Sequence, residues 1–233
     1  MAKRAVLKLS YFIATFPLLL FSKLAFIFNW WGFKNDAMKC SEVASKYASV
    51  RLPKELLSTL EIAEDHRHRL HFGIDQIALC RAILCTLKGS VQGASTIEQQ
   101  FVRVVINEYQ RTVRRKLFEQ LLAVHISSLL KKERIATAYL CIAYYGKGKL
   151  GTLRLKDTTD IAFRKLNYSD AIAIIARLKY PEPSKKCNEW LSKFENRNKH
   201  LVVKINSANV LINNDKKKLT VFISNFSQQF FVS

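Results

Sequence analysis

The sequence predicts a mostly α-helical domain with an apolar, membrane-associated helix at its N-terminus. Two patterns support this fold class. Apolar residues recur at three- and four-residue spacing through most of residues 54–180, and long uncharged runs follow a basic N-terminal flank. The hydrophobic fraction of 49% is ample for a core, and 233 residues suit one domain with an appendage.

Residues 1–33 have the composition and length of a membrane anchor. A basic flank precedes the uncharged run over residues 10–22, and a second uncharged run follows Lys23. A helix from Leu9 to Phe33 would be ~38 Å long, enough to cross the apolar core of a bilayer. The basic flank predicts a cytoplasmic N-terminus, with the remainder of the chain outside the cytoplasm. No small-residue cleavage motif follows, so we expect an uncleaved transmembrane anchor; the alternative is an amphipathic hairpin on the membrane surface.

The rest of the chain divides into a connector, a domain and an extension. We expect a short polar connector over residues 34–54, the folded domain over 55–199, and a C-terminal extension over 200–233 that forms a hairpin or two short helices. The helices of the domain are predicted by apolar stripes around residues 76–88, 95–105, 112–131, 133–145 and 169–180. Ser95 is the expected N-cap of the second of these helices, with Glu98 completing a capping box.

The net charge of +20, from 38 basic and 18 acidic residues, predicts a polyanionic partner. Nucleic acid, an anionic lipid surface and a phosphorylated substrate would all satisfy this charge. The sequence has no aromatic-and-basic nucleic-acid motif, and its apolar N-terminus favours a membrane, so we expect no nucleic acid partner. Five cysteines without a CxxC pair form neither a zinc ribbon nor a disulfide framework.

Residues 61–75, EIAEDHRHRLHFGID, concentrate carboxylates and imidazoles and indicate either a metal site or an acid/base centre. On a regular helix His66 and His68 would lie on nearly opposite faces, and on a strand they would share a face that His71 does not. Neither arrangement gives the i, i+4 histidine pair of a helical zinc motif, and two arginines among them would repel a cation. The spacing therefore disfavours a metal site and leaves His66 and His68 without an assigned role.

Five sequence blocks follow one another in a recognisable order. They are EDHRHRLHFGID at 64–75, QGASTIEQQFVR at 92–103, RRKLFE at 114–119, AYLCIAYYGKG at 138–148 and ARLKYPEPS at 176–184. Together they resemble the peptidoglycan glycosyltransferase family, which comprises the transglycosylase domains of bifunctional penicillin-binding proteins and their monofunctional relatives. The similarity covers about residues 55–185.

The chain departs from the family's pattern at several positions. His68 stands where phenylalanine is usual, Ala94 replaces a glycine, and Val104 and Cys141 each replace an asparagine. These departures keep an alternative open, in which a degenerate homologue binds lipid-linked sugar pyrophosphates without turnover or acts as a cell-envelope partner protein.

The resemblance implies a lysozyme-like, mostly helical domain with a long cleft. It also implies an enzyme that polymerises lipid II, in which the 4-hydroxyl of an incoming unit attacks the anomeric carbon of the growing chain. Configuration inverts and polyprenyl pyrophosphate leaves. The expected setting is the bacterial inner membrane, crossed once, with the catalytic domain on the periplasmic side. The expected partners are lipid II, the growing glycan strand, the membrane, and cell-wall synthesis or division proteins.

The resemblance assigns Glu64 as the general base and Glu119 as a second catalytic carboxylate that positions cations and substrate. An alcohol is a poor nucleophile and needs a base within hydrogen-bond reach, which works best with a pKa raised toward neutrality. A pyrophosphate leaving group needs cations rather than an acid, so Arg115 and Lys116 are expected to bind it, with help from Arg103 and Arg114. These cations favour a transferase over a lysozyme-like hydrolase.

The expected substrate-binding residues come from the matched blocks. They are Asp65, His71, Gly93, Ser95, Thr96, Gln99, Gln100, Arg103, Arg115, Lys116 and Tyr139. The turn that carries Glu64 is expected to be shaped by His71 and Asp75. No cofactor is required by this chemistry, although Mg²⁺ or Mn²⁺ could bridge a pyrophosphate and a carboxylate.

Overall fold

The computed structural model describes residues 2–90, 92–110, 112–147, 151 and 166–208. Over these ranges the chain is helical without a β-strand, which confirms the predicted fold class. The elements are α1 (Ala2–Ile27), a 3₁₀ turn (Trp30–Gly32), α2 (Phe33–Lys46), α3 (Lys54–Glu64), α4 (Gln76–Leu87), α5 (Ile97–Ile106), α6 (Val113–Leu129), α7 (Lys132–Ile142) and α8 (Tyr168–Lys179). A last helix occupies residues 188–208.

The short helix α5 lies at the centre of the domain. It packs against α2, α6 and α7, while α3 packs against α8. Phe101 and Val102 of α5, Leu122 of α6 and Leu140 of α7 are fully buried and belong to one apolar core. This arrangement brings the second, third and fourth sequence blocks together, because each block contributes one of these helices.

The sequence predicts a connector over residues 34–54, but the first part of this range belongs to α2, a helix of the core. Phe33, Ala37, Cys40 and Ala44 are buried along one face of this helix, at most 1% exposed. Polar side chains occupy most of the other positions, and three of the four core residues are small. The apolar stripe is therefore weak in the sequence although it packs against α5, α6 and α7.

The N-terminal helix α1 is long and apolar enough, over Lys3–Ile27, to cross a membrane. It ends at Ile27 rather than extending to Phe33, because the chain turns at Asn29 and Trp31, both with left-handed backbone. One side of α1 packs against α6, and most of its other apolar side chains are exposed. Its buried positions are Tyr11, Thr15, Ser22 and Ala25.

Two close backbone contacts fix the loops that carry the first and fourth sequence blocks. Gly73 has φ +89°, and a Cβ at this position would lie 2.6 Å from the carbonyl oxygen of Ala123 on α6. Gly146 pairs with Glu182, whose backbone N–H donates to the carbonyl of Tyr145 at 2.9 Å. The loop after α3 is thus fixed to α6, and the fourth block is fixed to the fifth.

Candidate active site

The candidate active site is built around Glu119, on the buried face of α6. Its side chain is 0% exposed, and its carboxylate accepts hydrogen bonds from Arg103, Arg115 and Lys116. Arg103 donates from Nε and Nη2, each 2.9 Å from a different carboxylate oxygen. Arg115 Nη1 lies 2.5 Å and Lys116 Nζ lies 2.6 Å from the same carboxylate. Cations from α5 and α6 therefore meet at one buried acid.

The charge balance of this cluster favours a bound anion. Burial by itself would raise the pKa of Glu119, but hydrogen bonds from Arg103 and Lys116 outweigh burial and hold the pKa below its usual range. The ionised carboxylate neutralises one of the three cations, so two positive charges remain. The cationic side chains are 12–32% exposed, which leaves part of each accessible to a ligand.

Ser95 connects this cluster to the loop before α5. Its hydroxyl accepts hydrogen bonds from Lys116 Nζ at 3.0 Å and from Arg103 Nη2 at 3.3 Å. Lys116 also donates to Gln99 Oε1 at 3.1 Å. Two of the residues predicted to bind substrate, Ser95 and Gln99, are thereby brought to Lys116, which also pairs with Glu119.

The prediction that Ser95 is the N-cap of α5 is wrong. Thr96 is the cap, since its hydroxyl accepts from Gln99 N at 3.3 Å and donates to the carbonyl of Gly73 at 2.7 Å. Glu98 does not close a capping box, because it is buried and pairs with Lys132 instead. Ser95 and Thr96 both have the hydroxyl group that suits an N-cap. Because Thr96 is the cap, the hydroxyl of Ser95 contacts the cations instead.

Glu64 is the last residue of α3, and its side chain is 20% exposed. It lines a pocket together with Gly93, Ser95 and Thr96. Ser95 also contacts Lys116 and Arg103, so this residue links the pocket beside Glu64 to the cationic cluster. The two halves of the predicted chemistry thus meet at Ser95.

Tyr139 of α7 lies within electrostatic range of Glu64. Its side chain is buried, and its hydroxyl donates to Gln100 Oε1 at 2.7 Å. Burial is the main cause that raises the pKa of Tyr139, and the negative charge of Glu64 raises it further. The phenol therefore stays protonated and fixes the amide of Gln100 on α5.

The turn after Glu64 is held by buried hydrogen bonds. Asp65 accepts from His71 Nε2 at 2.9 and 3.0 Å and from the backbone N–H of Ile97 at 3.2 Å. Asp75 caps α4 by accepting from Ala78 N at 2.9 Å, and it accepts from Arg67 Nε at 2.8 Å. Asp65 and His71 are both buried, and the hydrogen bonds described for them are to other groups of the protein.

Two cations depart from the sequence prediction. Arg114, expected to help bind the pyrophosphate, lies over the ring of Trp31, 5.0 Å from its centroid. Arg197, which no motif indicates, donates from Nη2 to Glu64 Oε1 at 2.7 Å. It comes from the helix over residues 188–208, 133 positions after Glu64, so local spacing carries no signal of the pair.

Comparison with known proteins agrees with this arrangement. The sequence model of the family described as "Transglycosylase" matches residues 36–206, a span that includes most of α2. Penicillin-binding protein 1A of Vibrio cholerae is 40% identical over 102 residues, covering 43% of this chain and 12% of the relative. Penicillin-binding protein 1A of Aquifex aeolicus is 35% identical over 108 residues, covering 45% of this chain and 15% of the relative.

A predicted transglycosylase of Cupriavidus necator is 35% identical over 118 residues, covering 50% of this chain and 51% of the relative. The alignments thus span between about an eighth and a half of the length of these relatives. The family match covers most of this chain and includes Glu64, Ser95, Glu119 and the three cations on Glu119. The chain belongs to the transglycosylase family.

Proposed function

We propose that the protein is a peptidoglycan glycosyltransferase that polymerises lipid II into glycan strands with inversion at the anomeric carbon. The observation that carries the proposal is Ser95, which lines the pocket beside Glu64 and also contacts Arg103 and Lys116, two of the cations on Glu119. A carboxylate and a cationic cluster are the groups that this transfer needs.

Glu64 acts as the general base for the 4-hydroxyl of the acceptor. Its Oε1 accepts from Arg197, which is its one hydrogen-bond partner among the described residues. Its second oxygen can therefore accept the proton of an alcohol in the pocket beside Gly93 and Ser95. Arg197 serves as a positioning residue, since it fixes the orientation of the carboxylate without occupying both oxygens.

The cations on Glu119 hold the departing pyrophosphate. Arg103, Arg115 and Lys116 carry a net charge of two after pairing with Glu119, which offsets charge that develops on the leaving group. Glu119 is the positioning residue for this set. All of its hydrogen bonds in the described structure come from cations, so its carboxylate is poorly suited to bind Mg²⁺ or Mn²⁺. The proposed reaction requires no cofactor, and a bridging metal ion stays a prediction.

The apolar surface supports attachment to the inner membrane, with the domain on the periplasmic side. Exposed apolar side chains of α4 include Ile77, Ile83, Leu84 and Leu87. The start of this helix contacts α1, since Gln76 Nε2 donates to Thr15 Oγ1 at 2.6 Å. The N-terminal end of α4 therefore lies beside α1, and both helices expose apolar side chains, as expected for a surface that accepts a polyprenyl-linked substrate.

The alternative is a degenerate homologue that binds such a lipid without turnover. Two of the departures that motivated it do not line the pocket beside Glu64. Cys141 is buried, and Val104 packs against the core. Ala94 lines the pocket beside Glu64 as a small side chain. These positions favour the enzyme over the degenerate homologue.

The test is polymerisation of lipid II by the purified full-length protein, with glycan strands separated by gel electrophoresis. Removing the base by Glu64→Gln should lower the rate by about 10²–10⁴-fold, the usual contribution of general base catalysis. Glu61→Gln on the same helix is the matched control, because Glu61 pairs with the exposed Arg69. Full activity of Glu64→Gln would refute the mechanism. Tight lipid II binding by the wild type without polymer would favour the degenerate homologue.

A further inference from the structure

A second polar cluster lies buried behind the turn that follows Glu64. It consists of Asp65, His68 and His71 from this turn and Glu98 from α5, and each of these residues is at most 5% exposed. One ligand atom from each side chain lies within 4.8 Å of the corresponding atoms of the other three. The proposed reaction assigns no task to His68 or Glu98.

Several polar atoms of this cluster lack a hydrogen-bond partner in the described part of the chain. They are both ring nitrogens of His68, Nδ1 of His71 and Oε2 of Glu98. Buried polar groups are nearly always satisfied, because an unmade hydrogen bond in the interior costs free energy. An imidazole that is 2% exposed and points both nitrogens into protein therefore needs an explanation.

Two distances from His68 are close to those between ligands of a tetrahedral metal ion. His68 Nδ1 lies 3.4 Å from Asp65 Oδ2 and 3.6 Å from Glu98 Oε1. Two ligands of a tetrahedral zinc ion, each at about 2.0–2.1 Å, lie about 3.3–3.4 Å apart. His71 Nε2 is 2.9 Å from Asp65 Oδ2, so a shift of a few tenths of an ångström would exchange this hydrogen bond for a shared ion.

The charges around the cluster also permit a divalent cation. Two carboxylates and two neutral imidazoles carry a charge of −2, and Lys132 beside Glu98 leaves a net charge of −1 that still attracts a cation. These donors suit a borderline ion. The nearest arginines are turned away, since Arg67 pairs with Asp75 and Arg69 pairs with Glu61. Lys132 Nζ lies beside Glu98 Oε1 and leaves Oε2 without a partner.

We propose that Asp65, His68, His71 and Glu98 form a buried structural metal site, with Zn²⁺ as its ligand. The ion would join the turn after Glu64 to the first turn of α5. Neither Glu64 nor the cations on Glu119 contribute a ligand to it, although Asp65 follows Glu64 directly in the chain. The site depends on His68, which stands where the family's pattern has phenylalanine.

The experiment measures metal bound to the full-length protein in detergent, purified without a polyhistidine tag and freed of metal by a chelator. After incubation with Zn²⁺ alone and removal of excess ion by gel filtration, elemental analysis should find one zinc per chain. Zinc should raise the midpoint of thermal unfolding, and Co²⁺ in its place should give the visible absorption of a tetrahedral site.

Two matched variants locate the ion. His68→Phe restores the family's residue and should fold, but it should bind zinc only at background level and lose the zinc-dependent thermal shift. His66→Phe changes an exposed histidine of the same turn and should still bind one zinc. Zinc at background level in the wild type, or equal binding by the wild type and His68→Phe, would overturn the proposal and leave the cluster as a charge network within the protein.

Discussion

The buried carboxylate of Glu119 allows a sharp prediction for the variant Glu119→Gln. The amide keeps the shape of the side chain but removes the charge that receives four hydrogen bonds from three cations. Removing one partner of a buried ion pair costs about 3–5 kcal/mol. Because the three cations are 12–32% exposed and can turn toward water, we expect the lower end, about 3 kcal/mol.

The pH dependence of this loss has a definite sign. The pKa of Glu119 lies below its ordinary value of 4.5 in the folded protein, so folding favours the ionised form. This contribution to the free energy of unfolding is fully present above pH 4.5 and is lost as the pH falls through the lower, folded-state pKa. The stability difference between the wild type and Glu119→Gln should therefore be largest near neutral pH and shrink in acid.

The assay is denaturant unfolding of the full-length protein in detergent at neutral pH and at several acid pH values, with wild type and variant measured in parallel. Other carboxylates titrate in both proteins, so the difference between the two curves isolates Glu119. Glu189→Gln, in an exposed pair with Lys193, is the control for the same chemical change and should alter stability little. An equally stable Glu119→Gln variant, or a deficit that does not change in acid, would refute the reasoning.

Two further predictions follow from local geometry. Gly73→Ala should destabilise the protein by more than about 1 kcal/mol, because the residue has a positive φ and the new Cβ would meet the backbone of Ala123 at 2.6 Å. Thermal unfolding measures this loss. Gly93→Ala is the neutral control, because its Cβ would meet open space. Arg197→Gln should lower the polymerisation rate by about ten- to a hundredfold, because Glu64 loses its one described hydrogen-bond partner. Arg197→Lys should recover part of the rate in the same gel assay, and an unchanged rate in Arg197→Gln would exclude a positioning role.

Much of the fold was predictable because helical periodicity is a local property of the sequence. The pairing of Arg115 with Glu119 was predictable for the same reason, since residues four apart share a helix face. The approach of Arg103 to Glu119 depends on how α5 packs against α6, and the contact of Arg197 with Glu64 depends on a helix far along the chain. Neither contact can be predicted from the spacing of residues along the sequence.

The turn after Glu64 shows where regular geometry misleads. The spacing of its histidines disfavours a metal site on an ideal helix or an ideal strand, but residues 65–75 form neither. A turn in which His68 N donates to the carbonyl of Asp65 at 2.8 Å places their side chains together. Glu98 then approaches from α5, and the cluster arises from tertiary packing rather than from a sequence motif.

The packing of α1 has a practical consequence for how this protein can be shortened. Phe26 stacks on His125 at 4.9 Å, and the hydroxyl of Tyr11 donates to Asp75 at 2.7 Å. Removing residues 1–27 would expose to solvent the part of α6 around Val124 and His125 that α1 covers. We therefore expect the truncated domain to self-associate or to need detergent, even with no hydrophobic tail left on it.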